Sequence, residues 1–285
     1  MILATHGIVG SQIQSFVGLL DTYPNAAAAY SVRKLRSDYT GSAIRVRRSS
    51  DNTESDIGFS GENLDTTSLS SFCSGTNGFV TTWYDQSGNA NNATQTTAAN
   101  QPQIVSSGNV ILKNTKPTLD FDGTNDFLNG GNILNLSQYT YFSVNSSDTI
   151  SSVQCIFGKG FGGNYFESFG NFYVSSKLRN NITYAGPSES TVFTSLTSSN
   201  DTLYLSTGLY NKINLIQRAN GANQGSISET RDIINSTQPF TIGVMGNLID
   251  FRLNGRISEI IIYDNSKLSI ISNIESSINT YYGIY

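Results

Sequence analysis

Residues 255–283 read GRISEIIIYDNSKLSIISNIESSINTYYG, and a change of period inside this stretch constrains the whole chain. Ile260 to Tyr263 is apolar without a break, which suits a central strand covered on both faces. Asp264-Asn265 is turn chemistry. Beyond it Leu268, Ile271, Ile274, Ile278 and Tyr281 recur at helical spacing, with Ser266 or Ser269 to cap and Gly283 to stop, so a helix is predicted over 268–282. A strand with two apolar faces needs a layer on each side.

The other apolar runs are short. SAIRVRRSS (42–50) alternates Ile44 and Val46 against Arg45 and Arg47, while GFVTTWY (78–84), PTLDFDG (117–123) and QPFTIGVMG (238–246) are β-branched or aromatic runs bounded by turn residues. One further helix is expected in the alanine-rich NAAAAYSVRKLRSDY (25–39), from Ala26 to Arg36 with Asn25 as cap. Together these elements predict an all-β protein, a two-sheet antiparallel jelly-roll sandwich with a short N-terminal helix and a C-terminal helix. Residues 1–25 precede the first core element and read as an arm for attachment or oligomerisation, leaving 26–285 as the sandwich.

Composition narrows the function. Only 13% of the 285 residues are charged, and polarity comes from Ser, Thr, Asn and 26 glycines. The net charge of −4 argues against nucleic acid, whose phosphates demand a basic footprint. Two cysteines, Cys73 and Cys155, and a lone His6 offer no zinc ligand set. The N-terminal apolar run is broken by His6, Gln12 and Gln14 and has no basic leader, so it does not read as a signal peptide. No stretch of about 18 apolar residues exists to cross a membrane as a helix.

Three stretches invite chemistry. In WYDQSGNANNATQ (83–95) Asp85 is either a displayed carboxylate or the start of a turn; Asp-Gln-Ser-Gly favours the turn, with the carboxylate accepting a backbone N–H two residues on. DFDGTND (120–126) is oxygen-rich enough for a structural calcium, but misses the EF-hand spacing and reads as a hairpin turn. Six of the 17 basic residues lie between Arg33 and Arg48, yet Asp38, Asp51, Glu54 and Asp56 leave only +2 over residues 33–56, which points to local pairing across strands. The aromatic set Tyr165, Phe166, Phe169, Phe172 and Tyr173 mixes core positions with a candidate sugar platform.

WYDQSGNANNATQ, KPTLDFDGTNDFL (116–128) and the 255–283 stretch, in that order, resemble the concanavalin A-like (laminin G-like) jelly-roll domains of lectins and glycan-active proteins. AYSVRKLRSDYTGSAIRVRRSSDNTESDIGF (29–59), Phe72-Cys73 and TTWYDQSGN (81–89) are similar to the catalytic sandwich of the family 54 α-L-arabinofuranosidases, and also to a module of bacteriophage virion and tail proteins. The arabinofuranosidase resemblance implies a glutamate nucleophile on a mid-sandwich strand, which falls on Glu167. It implies an aspartate acid/base after a Gly-rich strand, where this chain has Asn247, with Asp250 three residues further on. An adjacent cysteine pair is implied where only Cys155 stands.

These two departures lead to the expectation of a degenerate site that binds glycan through Tyr165, Glu167, Asn247 and Asp250 without catalysis, metal or cofactor. The resulting expectation is a bacteriophage virion structural protein, a head or tail-fibre module adhering to host glycans. Its partners would be other virion proteins in a homo-oligomer such as a trimer. The alternatives are a glycoside hydrolase of α-L-arabinofuranosidase type acting through Glu167, with Asp250 as a weak acid/base candidate, or a decoration protein without ligand.

Overall fold

The computed structural model describes residues 16–161, 166–185, 188–246 and 248–285. Among these, antiparallel strands dominate, with three short α-helices at Leu19–Thr22, Thr66–Phe72 and Ile271–Tyr282. The chain forms the β-sandwich that the apolar runs predict.

One sheet centres on Asn254–Tyr263. Tyr139–Ser147 pairs with one edge of that strand, followed outward by Tyr204–Tyr210, Asn214–Ala219 and Ala222–Ser228. Its other edge is shared by Ala28–Ser31 and Leu119–Asp122. The second sheet runs from Glu54–Ile57 through Ile44–Arg48, Gly78–Trp83, Ala93–Thr94, Leu128–Gly131, Phe240–Ile242, Gln154–Phe161, Phe166–Val174 and Lys177–Ala185 to Ser188–Phe193. Gln103–Ser106 pairs with a strand of each and joins the two sheets.

The apolar run at 260–263 is explained by two cores. Ile260 and Ile262 enter the inter-sheet cluster with Tyr30, Trp83, Phe121, Phe157 and Phe240. Ile261 and Tyr263 face the opposite way, under Ile271, Ile274, Ile278 and Tyr282 of the C-terminal helix. That helix ends at Gly283 in the left-handed conformation, φ 60°, which a glycine adopts without steric cost. Leu19 and Leu20, at the described end of the N-terminal segment, are buried in the same outer cluster.

The helix expected over Ala26–Arg36 is absent, and Ala28–Ser31 is a strand paired with Ile262 to Glu259. Alanine's helix propensity is a weak prior. Here the small side chains are buried on both faces, with Ala28 and Tyr30 in one core and Ala29 in the other. The short N-terminal helix lies instead at Leu19–Thr22. The helix at Thr66–Phe72 starts at Asp65, whose carboxylate accepts the Ser68 N–H at 2.9 Å.

A buried ion pair locks the C-terminal helix to the sheet. Arg33 donates to Glu259 through Nε at 2.7 Å and Nη2 at 2.9 Å, and Glu259 also accepts from the hydroxyls of Ser31 and Tyr282. The guanidinium lies 4.8 Å from the Tyr281 ring centroid. Burial opposes the charged form of Arg33, but Glu259 outweighs it and its pKa is raised. Such a pair costs desolvation, and it holds because every charge finds partners.

Asp85 belongs to this scaffold. Its carboxylate is buried and accepts four hydrogen bonds: from the Ser87 N–H (2.9 Å) and hydroxyl (2.7 Å), the Asn91 N–H (3.0 Å) and, 56 residues away in sequence, the Ala29 N–H (2.8 Å). It starts a turn, as the sequence indicates, and pins the Ala28–Ser31 strand as well. The basic stripe is likewise consumed locally. Arg45 pairs with Asp56 at 2.9 Å, Arg48 with Asp51 at 2.6 Å and Arg36 with Asp38 at 2.8 Å. Arg47 takes amide partners, Gln101 and Asn52, rather than an acid.

Candidate functional site

Glu167 lies in the Phe166–Val174 strand and pairs with Gly160 of Gln154–Phe161, just beyond a register shift between Lys159 and Gly160. A bulge of this kind re-aims the strand locally and is common beside functional sites. Asp250 lies in the loop between Phe240–Ile242 and Asn254–Tyr263. Tyr165 and Asn247 fall outside the described residues.

Backbone contacts bring these elements together. An ideal Cβ built on Gly160 would stand 3.1 Å from the Gly246 Cα, and one built on Gly246 would stand 2.4 Å from the Gly160 Cα. Only two glycines permit this approach. The loop that carries Asp250 is thereby held against the residue paired with Glu167, although about 80 residues separate the two strands in sequence.

The loop is closed on itself. Leu253 N–H donates to Gly243 C=O at 2.9 Å, Gly243 N–H to Ile156 C=O at 2.9 Å, and Cys155 N–H to Phe251 C=O at 2.6 Å. Inside it, Met245 N–H reaches the Asp250 carbonyl at 3.1 Å and Leu248 N–H the Met245 carbonyl at 2.8 Å. Leu248 and Phe251 are both left-handed, φ 66° and 55°, conformations that cost a non-glycine residue of the order of 1 kcal/mol or more. Met245 packs on Cys155 and Phe172 in a small buried cluster, with Phe251 at its side.

Of the aromatic set, Phe169 and Tyr173 belong to the inter-sheet core and Phe172 is buried beneath the loop. None of these three offers a stacking face to solvent. The side chains of Glu167 and Phe166 are not among those described. In DFDGTND, Asp122 accepts the N–H groups of Thr124 (2.7 Å) and Asn125 (3.1 Å), and Asp126 accepts that of Asp122 (3.1 Å). The stretch is a turn. No group of three or more potential metal-binding side chains occurs among the described residues.

Two buried titratable groups in this part of the fold escape a reading of the sequence. Lys159, one residue from Gly160, is fully buried and donates to Asn132 Oδ1 at 2.6 Å. Asp126 is 7% exposed, and its backbone carbonyl lies beside Gly243 at the base of the loop. Burial first, and the charge of Asp122 second, push its pKa up to about 7. A carboxyl half-protonated near neutrality is suited to proton transfer. However, Ile242 pairs with Phe157, three strand residues or about 10 Å from the level of Gly160. Asp126 therefore braces its own turn through the Asp122 N–H and is not a close partner of Glu167. Glycine repetition in IFGKGFGG (156–163) and TIGVMG (241–246) was the one sequence signal for the close approach.

Residues 21–120 match the family model "Alpha-L-arabinofuranosidase B, catalytic". Probable alpha-L-arabinofuranosidase B of Aspergillus flavus is 38% identical over 96 residues, covering 31% of this chain and 19% of that protein, and alpha-L-arabinofuranosidase B of Aspergillus oryzae gives the same figures. The matched stretch thus spans about a fifth of the curated relatives' length. An arabinofuranosidase crystallised with arabinofuranosyl-α-1,2-xylobiose superposes with TM-score 0.65 over 89% of this chain and 62% of that one, at 14% identity. A mutant family 54 α-L-arabinofuranosidase soaked with 4-nitrophenyl α-L-arabinofuranoside gives 0.64 over the same shares, at 15% identity.

The chain is therefore a β-sandwich similar to the family 54 arabinofuranosidases in fold. The expectation of a bacteriophage virion or tail-fibre protein is corrected. The stretch on which that reading leaned, Ala29 to Gln95, lies inside the match to an arabinofuranosidase catalytic model. Asp85 and its turn serve the scaffold, and gave no ground for choosing the virion over the enzyme.

Proposed function

We propose that the protein is a glycoside hydrolase of α-L-arabinofuranosidase type, with Glu167 as nucleophile and Asp250 as the acid/base. The match of residues 21–120 to the arabinofuranosidase catalytic model carries this reading. The apposition of Gly160 and Gly246 supports it, because it draws the loop bearing one carboxyl group to the strand bearing the other.

Retaining hydrolysis needs two carboxyl groups about 5 Å apart. In the first step the Glu167 carboxylate attacks the anomeric carbon, while the acid gives its proton to the departing glycosidic oxygen. In the second step the same group, now a carboxylate, takes a proton from water as that water displaces Glu167 from the sugar. An amide at Asn247 cannot donate and recover a proton, so the role passes to Asp250 on the same loop. This chemistry calls for no cofactor.

The test is hydrolysis of 4-nitrophenyl α-L-arabinofuranoside by the full chain, with the anomeric configuration of the released arabinose followed by proton NMR. Turnover with retained configuration is the expected result. An absence of turnover on this substrate and on arabinan overturns the proposal.

A further inference from the structure

Beside the C-terminal helix a groove of about 320 Å³ opens where distant stretches of the chain meet. Arg33 and Lys34 enter it just after the Ala28–Ser31 strand, Lys116 from the Lys116–Pro117 strand, and Ser277 and Tyr281 from the helix. The volume lies at the lower end of the range that small-molecule sites occupy. None of the walls comes from Gln154–Phe161, Phe166–Val174 or the Asp250 loop.

The cations here are gathered and only partly satisfied. Arg33 is 7% exposed. It gives Nε and Nη2 to Glu259, while its Nη1 has no hydrogen-bond acceptor among the described residues. A guanidinium taken out of water with donors unspent favours an acceptor from outside the chain. Lys34 and Lys116 are half-buried. Their ammonium groups rest on rings, Lys34 at 5.9 Å from the Phe16 centroid and Lys116 at 3.9 Å from that of Tyr281, and neither joins an ion pair among the described residues. Tyr281 carries the Arg33 guanidinium as well, at 4.8 Å. The ring attracts each cation, but two like charges held on one ring repel each other until an anion joins them.

The surrounding chain supplies too little negative charge to finish the site. Glu259 is consumed by Arg33, and Glu62, at an exposed position, is the one acid on the wall of the groove. Three cations thus face two carboxylates, in a chain whose net charge is −4. Residues 1–15, which lead into Phe16, contain no Asp or Glu, so that segment has no side-chain carboxylate to offer.

We propose that this groove is a binding site for a small organic anion, whose carboxylate or phosphate group is taken by Arg33 Nη1 and the Lys34 and Lys116 ammonium groups, with Tyr281 and Ser277 against the rest of the molecule. Oxyanions of either kind form charge-assisted bonds with guanidinium and ammonium donors. Such a ligand ties Lys34 and Lys116 to the C-terminal helix, so its binding stabilises the fold by mass action. The inference is independent of the hydrolase reading.

The experiment is isothermal titration of the full chain at neutral pH and constant ionic strength, with inorganic phosphate, glucose 6-phosphate and glucuronate as probes and glucose as the neutral counterpart. The expected result is saturable binding of at least one anion, a melting temperature that rises with its concentration, and no binding of glucose. Lys34→Gln and Lys116→Gln should each weaken binding about fivefold or more, the scale of one charge-assisted contact. Glu62→Gln removes the competing carboxylate and should tighten binding about twofold or more, a change of sign that a general loss of structure would not give. Binding of glucuronate without the phosphates assigns the site to carboxylates, and the reverse assigns it to phosphates; either supports the proposal. Binding of none of the three anions, glucose binding as tightly as glucuronate, or affinities within twofold of the parent in both lysine variants overturns it.

Discussion

The turn that follows Trp83 and the loop that follows Ile242 both present an aspartate after a strand, and they treat it in opposite ways. Asp85 is buried and accepts four hydrogen bonds, one of them from a strand 56 residues away. Asp250 is half-buried in a loop that holds Leu248 and Phe251 in left-handed conformations. The first region has given its polar groups to the fold; the second holds its aspartate half-buried on a backbone that stores strain. Sequence similarity follows the same division, since residues 21–120 match the catalytic model and the stretch with Glu167 and Asp250 lies outside the match.

The contrast is broken most sharply at Glu167. Glu167→Gln should lower turnover of the aryl arabinofuranoside by at least about a thousandfold, as loss of a covalent nucleophile does, with little change in melting temperature. A loss of less than tenfold would mean that the scaffold region, and not this strand, carries the chemistry.

Arg33→Met comes next. It leaves Glu259 buried and unpaired, a situation that costs about 3–5 kcal/mol, and denaturant unfolding should show it. Loss of less than 1 kcal/mol would show that the C-terminal helix is held by its apolar face alone.

For Asp85→Ala the expected loss is about 2–3 kcal/mol, because the Ala29 N–H is left buried without an acceptor. Binding of any glycan should survive. Binding lost at an unchanged melting temperature would dissolve the distinction between the two aspartates.

The smallest effect depends on pH. The folded state raises the Asp126 pKa to about 7, whereas an unfolded aspartate titrates near 4. The folded protein therefore binds more protons between these values, and stability falls as pH rises through the window. Asp126→Asn removes that penalty, so the variant should melt above the parent at pH 8, by roughly 1–3 kcal/mol of added stability. The advantage should vanish near pH 4. An equal offset at both values would assign the effect to packing.

How much of this was legible depended on whether the signal was local. The C-terminal helix was readable because Ile271, Ile274 and Ile278 repeat at the period of the element they form, and the 260–263 strand because both of its faces are covered. Ala28–Ser31 misled because its partner, Ile262 to Glu259, is more than 200 residues away, and tertiary pairing overrode alanine's preference. The helix at Thr66–Phe72 left a faint local trace, Asp65 capping Ser68 and Leu69 as its buried residue. The candidate Glu167 rests on resemblance alone, with no local signal in the sequence. The buried Lys159 and the raised Asp126 could not be foreseen, since burial of a charge is a property of the assembled sheets.

The contact between Gly160 and Gly246 has a mechanical consequence. Two main chains in direct touch leave no adjustable side chain between them, so the clearance between strand and loop is fixed by atomic radii and cannot be tuned by rotamer changes. It can only be widened, in steps of about one methyl group, by placing alanine at either position. The pair is in effect a gauge block between strand and loop, and Gly160→Ala or Gly246→Ala would reset the spacing between them.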